Sequence, residues 1–301
     1  MDRLDAMAVL VAAVEAGSLS AASRRLGTPL ATVSRKVSEL EAHLKTRLLN
    51  RSSRKLSLTD AGAAYVAACK RILDDVSEAE RDASGEYSSP KGSLIVTAPI
   101  FFGRLHVLPI VVAFLKAYPD IDIRLVLTDV VANLLEQNVD LAVRIAMLPD
   151  SSLVATRVGS IRRVVCASPA YLAAHGTPKV PDDLSAHDCI VRDSQFVASA
   201  WSFTTGGSET AVPIRARLTV NTAETTIDAA VAGLGVTRAF SYQIADAVRA
   251  GSLIAVLEEF EPEPFPVSLV YTAQGPLPIK LRGFIDFAAP RLKATFAAMA
   301  S

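Results

Sequence analysis

Residue types that bind metals or carry covalent catalysis are few and scattered in this chain of 301 residues. The four histidines, none of them placed at metal-site spacing, are His43, His106, His175 and His187. Cys69, Cys166 and Cys189 are too few for a disulfide framework and are typical of a reducing compartment, so we interpret them as buried free thiols rather than a redox pair. No nucleophile motif, phosphate-binding loop or dinucleotide fingerprint occurs. The sequence therefore predicts no metal, no cofactor and no enzymatic activity.

Clustered positive charge is the chemistry that the sequence does offer. The whole chain is neutral, with 31 basic and 31 acidic residues. Between Arg24 and Lys55, however, nine basic residues stand against Glu39 and Glu41 alone, which gives a local net charge of +7. Cations that meet phosphates and release counterions supply much of the affinity for DNA. A solvated basic face would show the same charges, so the elements that carry them decide between the two interpretations.

Two short helices joined by a glycine turn are predicted inside this region. Ser18 is a suitable cap for a helix over Leu19–Leu26, and Gly27 supplies the positive φ that ends a helix sharply. A second helix is expected over Leu30–Leu44, with Thr28 as its cap. This pattern predicts a helix-turn-helix, in which the second helix enters the major groove of DNA.

The second helix has an apolar side and a side that could meet DNA. Its buried residues are expected to be Val33, Val37, Leu40 and Leu44, at spacings of four, three and four. The candidate DNA-contacting residues on its other faces are Leu30, Thr32, Ser34, Arg35 and Lys36. Serine can serve several base edges, and arginine suits the O6/N7 edge of guanine. Leu30 offers only an apolar contact, such as one to a thymine methyl group.

A basic hairpin is predicted over Asn50–Thr59, directly after the second helix. Arg51, Arg54 and Lys55 lie at or beside its tip. Such a hairpin next to a helix-turn-helix is typical of a wing that contacts phosphates or the minor groove. Turn residues, apolar spacing, basic helix and basic hairpin together favour DNA binding over a merely solvated face.

The rest of the chain is predicted to be one long helix and an α/β region. Apolar residues alternate at spacings of four and three through residues 60–86, which is a heptad-like seam that a second copy of the helix could cover. The alternative is packing against the chain's own C-terminal domain. From Ser93 onward, apolar runs alternate with helical periods, which indicates βαβ units and a mostly parallel sheet. One such helix is expected around Ala132–Gln137, and Val267–Tyr271 is predicted to return to the first sheet.

These patterns give an α/β fold with an all-α winged helix-turn-helix at its N-terminus. The expected domains are the DNA-binding domain (1–58), a linker and dimerisation helix (59–88), a first α/β subdomain (92–162 and 267–301) and a second (163–266). Because the chain would cross between the two subdomains twice, a hinged cleft is expected between them.

Ligands of doubly wound domains bind at the carboxyl ends of the strands. One predicted strand runs into the segment Ala98, Pro99, Ile100 and Phe101, where the N–H groups of a following helix favour an anion. Thr128 and Arg144 each end a further strand. Two interpretations of Arg144 are open: a clamp for an organic carboxylate, or a structural ion pair with Asp140 or Asp129.

Residues 18–62, SLSAASRRLGTPLATVSRKVSELEAHLKTRLLNRSSRKLSLTDAG, resemble the DNA-binding domain of LysR-type transcriptional regulators. The resemblance implies a bacterial regulator with a dimerising linker helix and a C-terminal effector domain of two subdomains like those of periplasmic binding proteins. It also implies that Ser34 and Arg35 contact bases and that Arg51 and Arg54 belong to the wing. By the same analogy, the residues near the cleft are Ser168, Phe196, Asn221, Thr222 and Thr237. Pro29 and Leu30 depart from many family members, which have Ser or Thr and then Pro or Gln.

The expected partners follow from this resemblance. They are double-stranded operator DNA, a small-molecule effector such as an organic acid, a second copy of the chain in a homodimer or homotetramer, and RNA polymerase as a further candidate. Because the first residues are acidic and no apolar run reaches about 18 residues, we expect no signal peptide, no membrane span and a cytoplasmic location. A solute-binding protein or an enzyme on the same scaffold is the alternative, and the missing signal peptide and catalytic motifs disfavour it.

Overall fold

The computed structural model describes residues 2–52, 55–83, 89–130, 134, 139–148, 153–192, 200–272 and 277–300. The chain forms two compact units, Met1–Ser89 and Pro90–Ser301. The elements of the first unit are α1 (Arg3–Glu15), α2 (Leu19–Leu26), α3 (Leu30–Leu44), β1 (Leu49–Ser52), β2 (Lys55–Leu58) and α4 (Asp60–Ala83).

The helix-turn-helix follows the sequence prediction closely. The Ser18 hydroxyl accepts a hydrogen bond from the Ala21 N–H at 3.1 Å and caps α2, and Gly27 ends that helix at φ +60°. The predicted cap of α3 was wrong. Pro29 occupies the N-cap position and α3 has no side-chain cap, because the Thr28 hydroxyl donates back to the Leu26 carbonyl at 3.3 Å.

Helices α1, α2 and α3 enclose the core of the first unit. Leu10, Ala22, Val33 and Leu40 are fully buried there. Three of the four apolar positions predicted for α3 are buried, and the fourth, Leu44, packs partly buried against the same core. The polar faces of α3 are therefore the ones left for a partner.

Helix α4 begins with a cap that also holds the hairpin. The Thr59 hydroxyl donates to the Arg47 carbonyl at 2.8 Å and accepts from the Gly62 N–H at 2.9 Å. A Cβ at Gly62 would collide with the Leu48 carbonyl, so only glycine fits. Val66 packs in the core of the first unit itself. The start of the predicted seam is thus covered within this unit, which neither of the two sequence interpretations anticipated.

The second unit is an α/β structure with two larger sheets. Its elements in chain order are β3 (Gly92–Ala98), α5 (Ile100–Phe102), a π-helical turn (Gly103–Val107), α6 (Leu108–Ala117), β4 (Ile121–Leu127), β5 (Leu141–Ile145), β6 (Leu153–Ile161), β7 (Arg163–Ala167), α7 (Pro169–His175), a 3₁₀ helix (Pro181–Ala186), β8 (Asp188–Arg192), β9 (Ala200–Thr205), β10 (Ser208–Pro213), β11 (Arg215–Val220), α8 (Ala223–Val231), β12 (Val236–Phe240), α9 (Ser241–Arg249), β13 (Ile254–Val256), a second 3₁₀ helix (Glu258–Phe260), β14 (Phe265–Thr272) and α10 (Ile279–Ala300).

The first sheet has the order β4-β3-β5-β14-β6 and the second has the order β11-β8-β12-β7-β13, while β9 and β10 form a separate hairpin. In each sheet four of the five strands run in the same direction and one runs against them, so the prediction of a mostly parallel sheet is confirmed. Strand β14 is antiparallel to β5 and β6, and β7 is antiparallel to β12 and β13. Because the chain passes from one sheet to the other after β6 and back before β14, the strands beside these crossings run against their neighbours. The predicted strand Val267–Tyr271 does lie in the first sheet and is confirmed.

The first sheet packs against α6 and α10 around Leu94, Phe102, Phe114, Leu269 and Phe284, all essentially buried. The predicted helix around Ala132–Gln137 falls on residues of which only Leu134 is described.

By length and composition alone, one continuous helical stretch among the described residues, Ile100–Ala117, would suffice to cross a membrane, and the bent pair α1 and α2 would add a second candidate. Ile100–Ala117 carries Arg104 and Lys116, and its buried side belongs to the core of the first sheet. Helices α1 and α2 likewise contribute to the core of the first unit. We therefore interpret these stretches as core helices.

Candidate DNA-binding surface and effector cavity

Helix α3 presents its predicted DNA-contacting residues on two faces. The Arg35 side chain is 68% exposed, and its Nη1 lies 3.4 Å from Oε1 of Glu39, one turn further on. Leu30 is 46% exposed, and Thr32 and Ser34 are half-buried. An exposed i,i+4 pair of this kind is weak, so it leaves the Arg35 guanidinium available to a base or a phosphate.

Lys36 has an ion-pair partner within the first unit. Its ammonium forms an ion pair with the Asp5 carboxylate of α1, and three quarters of its side chain is covered. This ion pair ties α3 to α1, and the predicted contact of Lys36 with DNA stays a prediction. The spacing of apolar residues could not reveal the ion pair, because the partner lies on another helix.

The hairpin forms as predicted, with Leu49 opposite Leu58 and Ser52 opposite Lys55 in an antiparallel ladder. Arg51 lies in β1 and Lys55 begins β2, while Arg54 falls outside the described residues.

A residue that sequence reasoning counted only as opposing charge anchors this hairpin. Oε1 of Glu41 accepts hydrogen bonds from the N–H groups of Leu48 at 2.8 Å and Leu49 at 3.1 Å. A glutamate on the side of a predicted helix, eight residues before the hairpin begins at Leu49, is the one signal that the sequence held for this role.

In the second unit, a cavity of about 690 Å³ lies at the carboxyl ends of β3, β4 and β5. This is the size range of small-molecule sites. Four of the predicted effector residues line it: Ala98, Pro99, Thr128 and Arg144. Burial lowers the pKa of the Arg144 guanidinium, which is the expected effect of partial removal from water. The rest of its wall is mostly apolar, including Leu134, Val143 and Val270.

The neighbouring segment contributes through its backbone and its packing. The Ile100 N–H donates to Oδ1 of Asp129 at 3.1 Å, so a carboxylate already occupies one of the N–H groups expected to favour an anion. The Phe101 ring contacts the ring of Tyr242 edge-on, 5.8 Å between centroids, and Tyr242 itself lines the cavity.

Of the other predicted effector residues, Ser168, Asn221, Thr222 and Thr237 are described, and none of these four lines this cavity. Ser168 caps α7 through the Tyr171 N–H at 3.3 Å, and Thr222 caps α8 through the Thr225 N–H at 3.4 Å. Thr237 is fully buried and donates to the Ile190 carbonyl at 3.1 Å. Asn221 is exposed just before α8, and Phe196 falls outside the described residues. The resemblance to the family implied that these residues lie near the cleft, and a hydroxyl that caps a helix cannot be told in a sequence from one that meets a ligand.

The two aspartates considered as partners of Arg144 have identifiable contacts of their own. Oδ2 of Asp129 lies 2.9 Å from Nη1 of Arg192, and Oδ2 of Asp140 accepts from the Ile95 N–H at 2.6 Å. Arg192, at the end of β8, also lines the cavity and was missed. The signal was present, since Arg192 ends an apolar strand just as Arg144 does.

The cysteines are free and buried, as interpreted from the sequence. Burial raises the pKa of Cys166 to about 12 and that of Cys189 to about 11, which keeps both thiols protonated and unreactive at neutral pH. In the described part of the chain, no group of three histidine, cysteine, aspartate or glutamate side chains could hold a metal ion.

Both units match families of known proteins. The family model "Bacterial regulatory helix-turn-helix protein, lysR family" matches residues 4–63, and "LysR substrate binding domain" matches residues 88–293. An HTH-type transcriptional repressor of Pseudomonas aeruginosa is 36% identical over 292 residues, 95% of this chain and 91% of its own length. The HTH-type transcriptional activator AaeR of Escherichia coli is 32% identical over 290 residues, 95% of this chain and 93% of that protein.

The solved structure of CrgA, a LysR-type transcriptional regulator from Neisseria meningitidis, is similar over 96% of this chain and 98% of that one, with 31% identity and a TM-score of 0.61. The resemblance noted from residues 18–62 is thereby confirmed. Its matched families and relatives are transcriptional regulators, not enzymes. The chain belongs to the LysR-type transcriptional regulators, with a DNA-binding helix-turn-helix unit and an effector-binding α/β unit.

Proposed function

We propose that this regulator distinguishes its operators mainly through Ser34 and Arg35 of α3. The observation that carries the proposal is the position of Arg35: it is exposed on a helix whose opposite side is buried in the core. An arginine that reads the O6/N7 edge of guanine is worth about 1–3 kcal/mol of discrimination. Leu30 and Thr32 precede this pair at the start of α3. Arg51, Arg54 and Lys55 of the hairpin would add sequence-independent phosphate contacts.

The test is a DNA-binding titration of Arg35→Ala against a specific operator fragment and against random DNA, with Arg249→Ala as the matched control. Arg249 is an exposed arginine on α9 of the other unit. We expect Arg35→Ala to lose about 1–3 kcal/mol on the operator only, while Arg249→Ala binds like the wild type. Equal losses on both DNAs would instead make Arg35 a phosphate contact.

The effector that fits the cavity is a small organic acid. The apolar wall would bury its body, and the Arg144 guanidinium, which lines the cavity, would pair with its carboxylate. Pro99, Ala98 and Thr128 would contact it from the strand ends, next to Ile100 and Phe101. We infer that effector binding biases the equilibrium between two arrangements of the subdomains and thereby changes promoter occupancy.

A thermal-shift screen of small carboxylates on the full chain would identify the effector, and Arg144→Ala would then test the clamp. The variant should bind operator DNA normally but lose the response to that acid. An unaltered response would exclude the clamp. Arg104→Ala, which removes an exposed arginine from the turn after α5, is the matched control.

We propose a cytoplasmic homodimer or homotetramer as the functional form, with RNA polymerase as a partner at the promoter. Two-fold operators suit a two-fold protein, and the later half of α4 offers half-buried Leu73 and Val76 and exposed Ile72 to a second copy. Sedimentation of the wild type and of Ile72→Asp tests this: the variant should dissociate, and an unchanged assembly would place the interface elsewhere.

A further inference from the structure

A second, smaller cavity in the effector-binding unit is lined by three arginines. It measures about 130 Å³ and is bordered by Arg163, Arg192 and Arg238, with Trp201 and Thr226. In the ladder between β12 and β7, Phe240 lies opposite Arg163 and Arg238 lies opposite Val165. Because side chains alternate along a strand, Arg163 and Arg238 emerge on the same face of the sheet as diagonal neighbours.

Aromatic rings hold two of these arginines by their flat faces. The guanidinium of Arg163 lies over the rings of Phe240 and Phe265, at 5.1 and 4.2 Å from their centroids. That of Arg238 lies 5.1 Å from the ring centroid of Trp201. Guanidinium N–H groups point outward in the plane of the group, so stacking fixes the cations while leaving their donors to other partners.

These positive charges lie close together and are largely withdrawn from water. Burial, with a smaller contribution from the Arg192 charge, lowers the pKa of Arg163 to about 10. Burial lowers the pKa of Arg238 to about 9, again with a contribution from a neighbouring arginine, Arg163. Clustered like charges of this kind are unfavourable unless a negative charge meets them.

The described part of the chain supplies one carboxylate to the cluster, and it goes to one arginine. Asp129 pairs with Arg192 at 2.9 Å. Within the described ranges, no aspartate or glutamate forms an ion pair with Arg163 or Arg238. The single hydrogen bond described for the Arg238 guanidinium goes to the Ser202 carbonyl, at 3.4 Å.

We infer that Arg163 and Arg238 form an oxyanion-binding pocket, distinct from the Arg144 clamp, that takes a phosphate, sulfate or carboxylate group. Its volume suits one such group rather than a whole effector. Two sources share this chemistry: a free inorganic anion, or an acidic group of an effector whose body lies in the larger cavity. The second source rests on the proposed function, because Arg192, Phe240 and Gln243 line both cavities.

Trp201 makes the pocket directly observable, since it is the only tryptophan of the chain. The experiment is a titration of its fluorescence in the full-length protein with inorganic phosphate, sulfate, acetate and succinate at constant ionic strength. We expect a saturable change for the wild type and for the control Arg249→Gln. In Arg238→Gln the affinity should fall at least tenfold, because a charge-assisted donor is lost. Arg238→Lys, which keeps the charge but not the planar fork, should fall between them.

The response of Arg144→Ala separates the two sources. Phosphate binding that survives in Arg144→Ala assigns the pocket to a free anion. Binding of succinate alone, lost in both Arg144→Ala and Arg238→Gln, assigns it to the acidic group of an effector. If Arg144→Ala leaves the effector response unaltered while Arg238→Gln still fails to bind phosphate, the proposed role of Arg144 is excluded. The proposal of the oxyanion-binding pocket is then retained.

Thermal unfolding distinguishes anion binding from a purely structural role of these arginines. Without added oxyanion, Arg238→Met should melt no lower than the wild type, because it removes one of several crowded charges. Phosphate should then raise the Tm of the wild type but not that of the variant. The proposal is overturned if no probe gives saturable binding, if Arg238→Gln binds like the wild type, or if Arg238→Met is destabilised regardless of anion.

Discussion

Replacement of Glu41 tests whether a single carboxylate holds the hairpin to the recognition helix. Its Oε1 accepts two backbone hydrogen bonds, from Leu48 at 2.8 Å and Leu49 at 3.1 Å. These two leucines are only 1% and 3% exposed, so water cannot easily replace the lost acceptor. A hydrogen bond to a charged group contributes about 1.5–3 kcal/mol, and an unsatisfied buried donor costs about 1–3 kcal/mol. Allowing for partial exposure of the carboxylate, we expect Glu41→Ala to destabilise the first unit by about 2–4 kcal/mol.

Hydrogen exchange measured by mass spectrometry on the full chain is the suitable assay, because peptides from α1 report on the first unit alone. Protection there should fall roughly 30-fold to almost 1000-fold in Glu41→Ala. Glu39→Ala is the matched control, since Glu39 lies on the same helix and its contact among the described residues is an exposed pair with Arg35. It should change stability by less than about 0.5 kcal/mol. Glu41→Gln keeps an acceptor without the charge and should fall between them. Equal protection in Glu41→Ala and Glu39→Ala would refute this account of the hairpin.

Three further predictions concern other described residues. Lys45 ends α3 at φ +52°, so Lys45→Gly should stabilise the first unit by about 0.5–1 kcal/mol in the same exchange assay, whereas Lys45→Ala should give no gain. Burial lowers the pKa of His106 below 6.5, so the unfolded chain binds this proton at a higher pH than the folded chain does, and stability falls as the pH drops below about 6.5. His106→Phe should therefore reduce the fall in Tm on acidification. An unchanged dependence of Tm on pH would contradict this prediction. Asp129→Asn removes a partly exposed ion pair with Arg192 in the wall of the large cavity, so the free energy of unfolding should change by at most about 1 kcal/mol. The effector concentration for half-maximal response should shift several-fold. An unshifted response would show that this pair has no part in effector binding.

The helix-turn-helix could be predicted because its determinants are local. A capping serine, a glycine at positive φ and apolar spacing act within one or two helical turns, and all three hold in the structure. The wrong cap and the unforeseen ion pair in this unit have a common cause. Thr28 and Lys36 both find partners that compete with the predicted role, a carbonyl at the end of α2 and the carboxylate of Asp5. Hydrogen bonds and ion pairs of this kind are chosen by tertiary geometry, which spacing does not encode.

Only the part of the cavity wall that belongs to the first sheet could be predicted from the sequence. Ala98, Pro99, Thr128 and Arg144 follow strands of the first sheet, and the rule about carboxyl ends of strands is enough to find them. Arg192, Tyr242 and Gln243 come from the second sheet and the helix after it. Their position depends on how one subdomain is set against the other. No local pattern fixes that arrangement, because the chain crosses between the two sheets twice and one strand of each sheet, β14 or β7, runs antiparallel to its neighbours.

The charge of the first unit shows why local rather than total charge governs DNA binding. Residues 1–89 carry 13 basic and 12 acidic side chains, so the unit is almost neutral even though Arg24–Lys55 carries +7. Much of the opposing charge lies late in α4, where Asp74, Asp75, Glu78, Glu80 and Asp82 follow one another.

At 1.5 Å per residue, Asp74 is about 21 Å along the helix from its first residue, Asp60. Exposed charges more than about 8–10 Å apart are largely screened at physiological ionic strength. The acidic half of α4 therefore offsets little of the positive charge at α3 and the hairpin, where the nearby opposing carboxylates are Glu39 and Glu41 together with Asp5 and Glu15, which pair with Lys36 and Arg25.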